Sequence, residues 1–401
     1  MKKLLIITLF LIGHLIFGQV KVLFDATKAE MAGNADWVID ADTHNIGFSS
    51  GVINFNGNES NPQRFPTPDQ STVAANTSEN YWTGGISAWG IEAVKAGAWV
   101  ETLPVDGRIT YGDDTNEQDL SNYDIYVVVE PNWLFTDDEK TAILDFVFNG
   151  GNLFLISDHD HSDRDGDGYD SVDAWDDFLD NNPLGYNPFG IHVNYENFTD
   201  ASTDIADLPG NPILDGEYGS VTRVEFYAGT SFTVDYTENQ TATALVFREG
   251  RMNDYGAVMI ASAEYGAGKV LAVGDSSIVD DGTGDPGDKL YDGWYEDANG
   301  NHRILIMNAM IWMQETLDVE AISKDYFHVY VKRHWLYIEN KANSDDYFRL
   351  NIYDLSGRKL KTTKLSSNAN LKIELNLPAS VYIYNITLEG KPVQKGKIIL
   401  K

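Results

Sequence analysis

Two apolar runs, "YDIYVVVE" (123–130) and "NLFLISD" (152–158), flank the segment "TDDEKTAILDFVFNGG" (136–151) in this 401-residue chain. The middle segment predicts a helix with both ends marked: Thr136 and Glu139 stand at capping-box spacing, and Gly150 and Gly151 stop it. A strand, a helix and a second strand in such close succession call for a parallel crossover. "VKVLFD" (20–25) adds a buried-type strand, and "GGISAWGIEAVKAGAWVETL" (84–103) passes from helical to strand periodicity. "GAVMIASAEYGAGKVLAVGDSS" (256–277) supplies two strands around a glycine turn, and "NHRILIMNAMIWMQE" (301–315) a closing helix. This alternation predicts an α/β domain whose mostly parallel sheet carries helices on both faces.

The first residues, "MKKLLIITLFLIGHLIFGQ", place two lysines before an apolar stretch too short to span a bilayer permanently, the layout of a secretory signal peptide over 1–19. No later segment offers the roughly 18 uninterrupted apolar residues a membrane helix needs. An exported, monomeric protein without a stable membrane span is expected. With no cysteine, neither disulfides nor a thiol nucleophile are available.

Charge divides the remainder. Residues 318–401 hold 14 Lys and Arg against 9 Asp and Glu, whereas residues 19–317 hold 13 basic against 52 acidic side chains. A body so acidic repels nucleic acid and anionic membranes. The boundaries expected are therefore 20–317 for the α/β domain and 318–401 for a second, smaller one.

That second segment reads as short alternating strands separated by "SGR", "SSNAN", "LPAS" and "EGKP" turns, an all-β sandwich-like module. Its pieces "NIYDLSGRKL", "LPASVYIYNI" and "KGKIILK" resemble the C-terminal sorting (Por) domain of proteins exported by the type IX secretion system of Bacteroidetes. The resemblance covers about residues 325–401. It implies the type IX machinery as a partner, passage through periplasm and outer membrane, and a secreted or cell-surface destination.

The body's order of elements, with "GNPILDG" (210–216) and "YGAGKVLAVGDSS", resembles the flavodoxin-like fold of the class I glutamine amidotransferase-like superfamily, in particular its secreted ThuA-like branch. The superfamily's nucleophilic cysteine has no counterpart here, so glutamine hydrolysis is excluded; "SDHDHSD" follows the strand instead.

In open α/β sheets ligands gather beyond the carboxyl ends of the strands. Acidic loops leave three such ends: Asp40, Asp42 and His44; Asp158, His159, Asp160 and His161; and Asp275, Asp280 and Asp281. Within "DRDGDGYDSVDA" (163–174), Asp163, Asp165 and Asp167 alternate before Gly168, the opening of an EF-hand-like Ca2+ loop with the Tyr169 carbonyl as a further oxygen. Ala174 stands where that loop has its bidentate glutamate, and Asp170 or Asp173 is expected to replace it.

The neighbouring "SDHDH" holds the candidate base. His159 is expected to fill that role, with His161, His44, His192 and Tyr169 as alternatives, since imidazole titrates near neutrality. In an extended chain Asp158 points away from His159 and braces the loop or binds metal. A second acidic loop, 280–302, is a candidate for a further cation. Trp82, Trp133, Tyr291 and Trp294 lie in polar, Gly-rich loops and are candidate stacking platforms for sugar rings.

The absence of a Gly-x-Ser-x-Gly elbow argues against an ordinary serine esterase. The expected function is degradation of a polysaccharide, with β-elimination on a uronic-acid polymer needing the fewest groups: a base for the C5 proton and a cation or acid for the carboxylate. A metal-assisted glycoside hydrolase or esterase, and a non-catalytic calcium-dependent sugar-binding surface protein, are the alternatives.

Overall fold

The computed structural model describes residues 19–40, 47–49, 52–54, 70–79, 81–284, 291–296, 301–314 and most of 327–400. The chain divides into two compact units, Met1–Gln314 and Glu315–Lys401.

Strands β1 (Lys21–Asp25), β2 (Trp99–Leu103), β3 (Ile125–Val129), β4 (Asn152–Ile156), β5 (Ile191–Val193), β6 (Phe232–Val234), β7 (Thr243–Phe247), β8 (Val258–Tyr265) and β9 (Gly268–Val273) form one nine-stranded sheet. Its order is β2-β1-β3-β4-β9-β8-β6-β5, with β7 also paired to β8. The run from β2 to β9 is parallel throughout. Beyond β9 every pairing is antiparallel. The expected α/β sheet with its parallel centre is present, extended by an antiparallel part in which β8 is an expected strand, whereas β5 and β6, of three residues each, and β7 carry too little periodicity to stand out in the sequence.

Every residue of β3 and β4 is buried, as a strand covered on both faces requires. Alternation then assigns the faces. Val22, Phe24, Val127, Phe154 and Leu271 meet α1 (Ser87–Lys95) and α4 (Asn301–Gln314), through Trp89, Leu305 and Met310. Leu23, Tyr126, Leu155 and Ala272 meet α2 (Asp137–Phe148) and α3 (Ser171–Asp180), through Ile143, Val147, Trp175 and Phe178. The α2 capping box forms as expected, Thr136 and Glu139 each satisfying the other's backbone N–H. At the far end Gly150 takes φ 111°, a left-handed turn that lets β4 start at once.

The second unit consists of two antiparallel sheets, one of three strands and one of four, around Leu336, Ile338, Phe348, Leu350, Ile352 and Ile386. No helix among the described residues is long and apolar enough to cross a membrane.

Candidate functional site

Four of the five parallel strands end in acids: Asp25 closes β1, Glu130 follows β3, and Asp158 and Asp275 follow β4 and β9 after one intervening residue. All four are buried. The turn after β3 is tight enough to hold Glu130 at φ 50°, in the left-handed region that non-glycine residues seldom occupy. Its carboxylate accepts from Trp37 Nε1 at 2.5 Å and from Ser276 Oγ at 2.9 Å. It also pairs with Arg164, whose guanidinium continues to Asp158 Oδ2 at 3.0 Å and Asn34 Oδ1 at 2.8 Å.

One guanidinium thus serves two buried acids, with Asp275 close enough to act on Asp158, so the acids outnumber the base. Burial, reinforced by Glu130 and Asp275, holds the Asp158 carboxyl well above the usual carboxylate range, with Arg164 opposing. Burial likewise pushes Asp275 up to about 7, although the Ser277 and Tyr227 backbone amides donate to it at 2.8 and 2.7 Å.

Above this network opens a cleft of about 380 Å³, lined by Asn34, Asp158, His159, Ser162, Arg164 and Tyr291 among others. His159 is a quarter exposed. Its Nδ1 lies 2.8 Å from the carbonyl of Asp160, to which it can donate, and 2.9 Å from Nδ2 of Asn197, which can donate to it, so the two neighbours call for opposite tautomers. Nε2 is 4.0 Å from Asp158 Oδ2. Asp158 pairs with Arg164, yet its carboxylate also stands beside His159, so the two side chains do not point to opposite sides as an extended segment would have placed them. His161 also lines the cleft, at φ 71°, with its side chain 89% exposed and Nδ1 3.1 Å from Asp160 Oδ1.

The next turn gathers one carboxylate oxygen from each of Asp163, Asp165 and Asp167 within 4.8 Å of one another, and Asp163 reaches the cleft wall. Backbone amides organise the turn: Gly166 and Gly168 donate to Asp163 at 2.7 and 3.0 Å, and Tyr169 to Asp167 at 2.8 Å. The two residues expected to complete this ligand set are used otherwise. Asp170 is the N-cap of α3 and forms a capping box with Asp173, so the helix begins where a longer loop would have continued. Asp170 groups instead with Asp160 and His161.

The remaining candidates disperse. His44 lies outside the described residues, as does Asp42. His192 is on edge strand β5, ion-paired with Asp180 and Glu238. Tyr169 is half-exposed and does not line the cleft. Trp82 and Trp294 are 2% and 0% exposed in the core shared with α1 and α4, so neither can stack on a sugar. The apolar cost of leaving such rings in water outweighs the polar company they keep in sequence. Trp133 donates its indole N–H to Asp165 at 2.6 Å and braces the aspartate turn. Tyr291 alone of the four aromatic candidates lines the cleft, its ring 5.5 Å from that of Tyr227. Asp280 and Asp281 are buried acids raised by desolvation to about 7 and about 6; Asp281 accepts from the Ala88 N–H and Ser87 Oγ at the start of α1. Their role there is structural. Asp40 is buried too, outside the cleft lining.

Sequence reasoning did not find Glu130, Arg164 or Asn34. Arg164 left one signal, a lone base in "SDRDGD"; Asn34 left none.

No family model matches the chain, and no curated protein does. Among solved structures, the mmIFT52 N-terminal domain superposes with a TM-score of 0.41 at 13% identity, over 74% of this chain and 99% of that one. The cytoplasmic protein STM3548 from Salmonella typhimurium gives 0.38 at 13% identity, over 73% and 98%.

Proposed function

We propose that this chain is an exported enzyme that degrades a polysaccharide in the cleft above Arg164, by β-elimination on a uronic-acid polymer. The observation that carries the reading is one wall of that cleft: His159, a quarter exposed, stands a few residues from Asp163 of the three-aspartate turn. In the reaction Nε2 would take the C5 proton of a uronate residue. The electron pair forms the C4–C5 double bond as the C4–O bond breaks, and the departing oxygen takes a proton from solvent. Arg164 is committed to Glu130, Asp158 and Asn34 and does not serve the substrate carboxylate.

That leaves charge neutralisation to a cation at the cleft rim. Three carboxylates with alternating spacing form a hard, all-oxygen donor set suited to Ca2+. Asp163, Asp165 and Asp167 would hold it, with the Tyr169 carbonyl, and when bound it would supply positive charge beside the substrate. Asp170 and Asp173 are left to cap α3.

The finer fold reading, a flavodoxin-like amidotransferase-related sheet, rests on the quoted motifs, and so does the type IX sorting role of 318–401. The test is incubation of the protein with pectic and alginate-type uronans while following the ultraviolet absorbance of the unsaturated product. Activity is expected, and His159→Ala should lower turnover by about 10²-fold or more. Reducing ends without that absorbance would mean hydrolysis; neither product would leave a binding protein.

A further inference from the structure

We infer that the outer face of the four-stranded sheet in the second unit binds an anionic polysaccharide, the uronan proposed above as substrate, and tethers it to a chain whose body repels it. The sheet consists of β10 (Tyr347–Tyr353), β11 (Lys359–Ser366), β12 (Ser380–Leu388) and β13 (Lys391–Leu400), in the order β11-β10-β12-β13. Together these strands carry seven lysines and arginines and no aspartate or glutamate. That exclusion of acid runs against a whole chain holding 61 acidic and 29 basic residues, so it belongs to the sheet and not to the composition.

Alternation sorts the side chains. Phe348, Leu350, Ile352, Leu365 and Ile386 enter the core between the two sheets, so Arg349 and Lys364 stand on the other face, where both are exposed. The register sets Arg349 directly opposite Lys364. Like charges so placed destabilise a sheet, and neither residue takes part in an ion pair among the described residues. A polyanion laid across the face would offset that cost. Lys359 extends the same face, exposed, with its Nζ 5.6 Å from the Tyr353 ring, and Lys395 and Lys397 occupy the register positions opposite Asn385 and Ile383. Arg349 and Tyr353 are four residues apart, about 13 Å along an extended strand. A small anion cannot neutralise both ends of such a face, whereas a linear chain with a charge on each sugar can. Residues 19–317, with 52 acids against 13 bases, hold a polyanion off, which leaves its recruitment to the basic unit. The identity of the ligand rests on the uronan reading of the cleft; the basic face does not.

The test measures binding of the full chain to polygalacturonate, in chelator so that no calcium bridges the carboxylates, with neutral dextran, anionic phospholipid vesicles and duplex DNA as comparison ligands. Polygalacturonate should bind, less tightly as salt rises, and dextran should not. Arg349→Glu combined with Lys364→Glu should weaken binding by about tenfold or more, since two exposed charge contacts become repulsions, while the thermal melt stays near the parent's. Arg349→Gln combined with Lys364→Gln, which also removes the cross-strand repulsion, should fold at least as stably and lose a smaller part of the affinity. Binding as tight in the charge-reversed variant as in the parent, or no binding by the parent, would overturn the inference even if the chain cleaves uronans. Vesicles or DNA bound as tightly as polygalacturonate would overturn it as well. Binding that the variants lose, in a parent that cleaves no uronan, would uphold the face and overturn the reading of the cleft instead.

Discussion

His192 lies between two carboxylates, Nδ1 2.9 Å from Asp180 and Nε2 2.9 Å from Glu238. Both nitrogens are therefore best served as donors. The hydrogen bond and charge of Asp180, with Glu238 adding to them, raise its pKa to about 9. A pKa raised above the ordinary 6.5 gives stability present in full below pH 6.5 and lost as pH climbs through about 9. His192→Gln should thus cost about 1 kcal/mol at neutral pH, after discounting for exposure, and the gap to the parent should close at high pH. Paired thermal melts across that range check it; a gap independent of pH would contradict it. Single residues of this kind could be named from sequence as titratable, but their partners could not. Asp180 and Glu238 stand 12 and 46 positions from His192.

At the scale of elements, the turn 163–170 and helix α3 form one unit. Asp163, Asp165 and Asp167 are gathered on one side, while Arg164 between them reaches Glu130 and Asp158. Asp170 then caps the helix. A cation held by the aspartates would tie together groups that now repel; burial and the neighbouring Asp165, Asp163 and Asp173 already raise Asp167. Calcium is expected to raise the melting temperature. Saturation at about 100 times the dissociation constant is worth about 2.7 kcal/mol. Asp165→Asn should remove most of that increment and, because Trp133 donates to Asp165, also lower the metal-free melt. Scanning calorimetry with calcium and with chelator decides it, and superimposable traces for the parent would refute the site. The alternating aspartates were legible in sequence. The helix start at Ser171 was hidden, because Asp170 and Asp173 serve a ligand loop and a capping box equally well on paper.

For the whole molecule the excess of acid over base is the dominant variable. Asp275 and Asp280 are raised to about 7 and Asp281 to about 6, chiefly by burial. A folded carboxyl pKa above its unfolded value gives stability present at low pH and lost as pH rises through the folded value. Against this, hydrogen bonds hold Asp119 down to about 2, so its contribution is lost only in strong acid. Melting temperature in chelator should therefore peak in mild acid and fall between about pH 5 and pH 8. A flat or rising profile over that interval would be inconsistent with buried protonated acids. The two compact units also predict that residues 20–316 melt cooperatively without the tail. Loss of cooperativity on truncation would place the boundary elsewhere.

By itself the sequence determined whatever depends on neighbours in the chain. The apolar runs of β1, β3 and β4, the Thr136 cap, the Gly150 stop and the alternating aspartates are local. Their physics acts over a few residues, through hydrogen bonds and side-chain periodicity. Tertiary structure alone decided which strand lies beside which, and so which loop ends share a cleft. It placed β9 next to β4, bringing Ser276 to Glu130 and Asp275 near Asp158. It buried Trp82 and Trp294, whose loop surroundings suggested exposure. It also joined Glu130 to an arginine 34 positions away. A buried charge must find its counter-charge wherever the fold presents one, and no local pattern records that requirement.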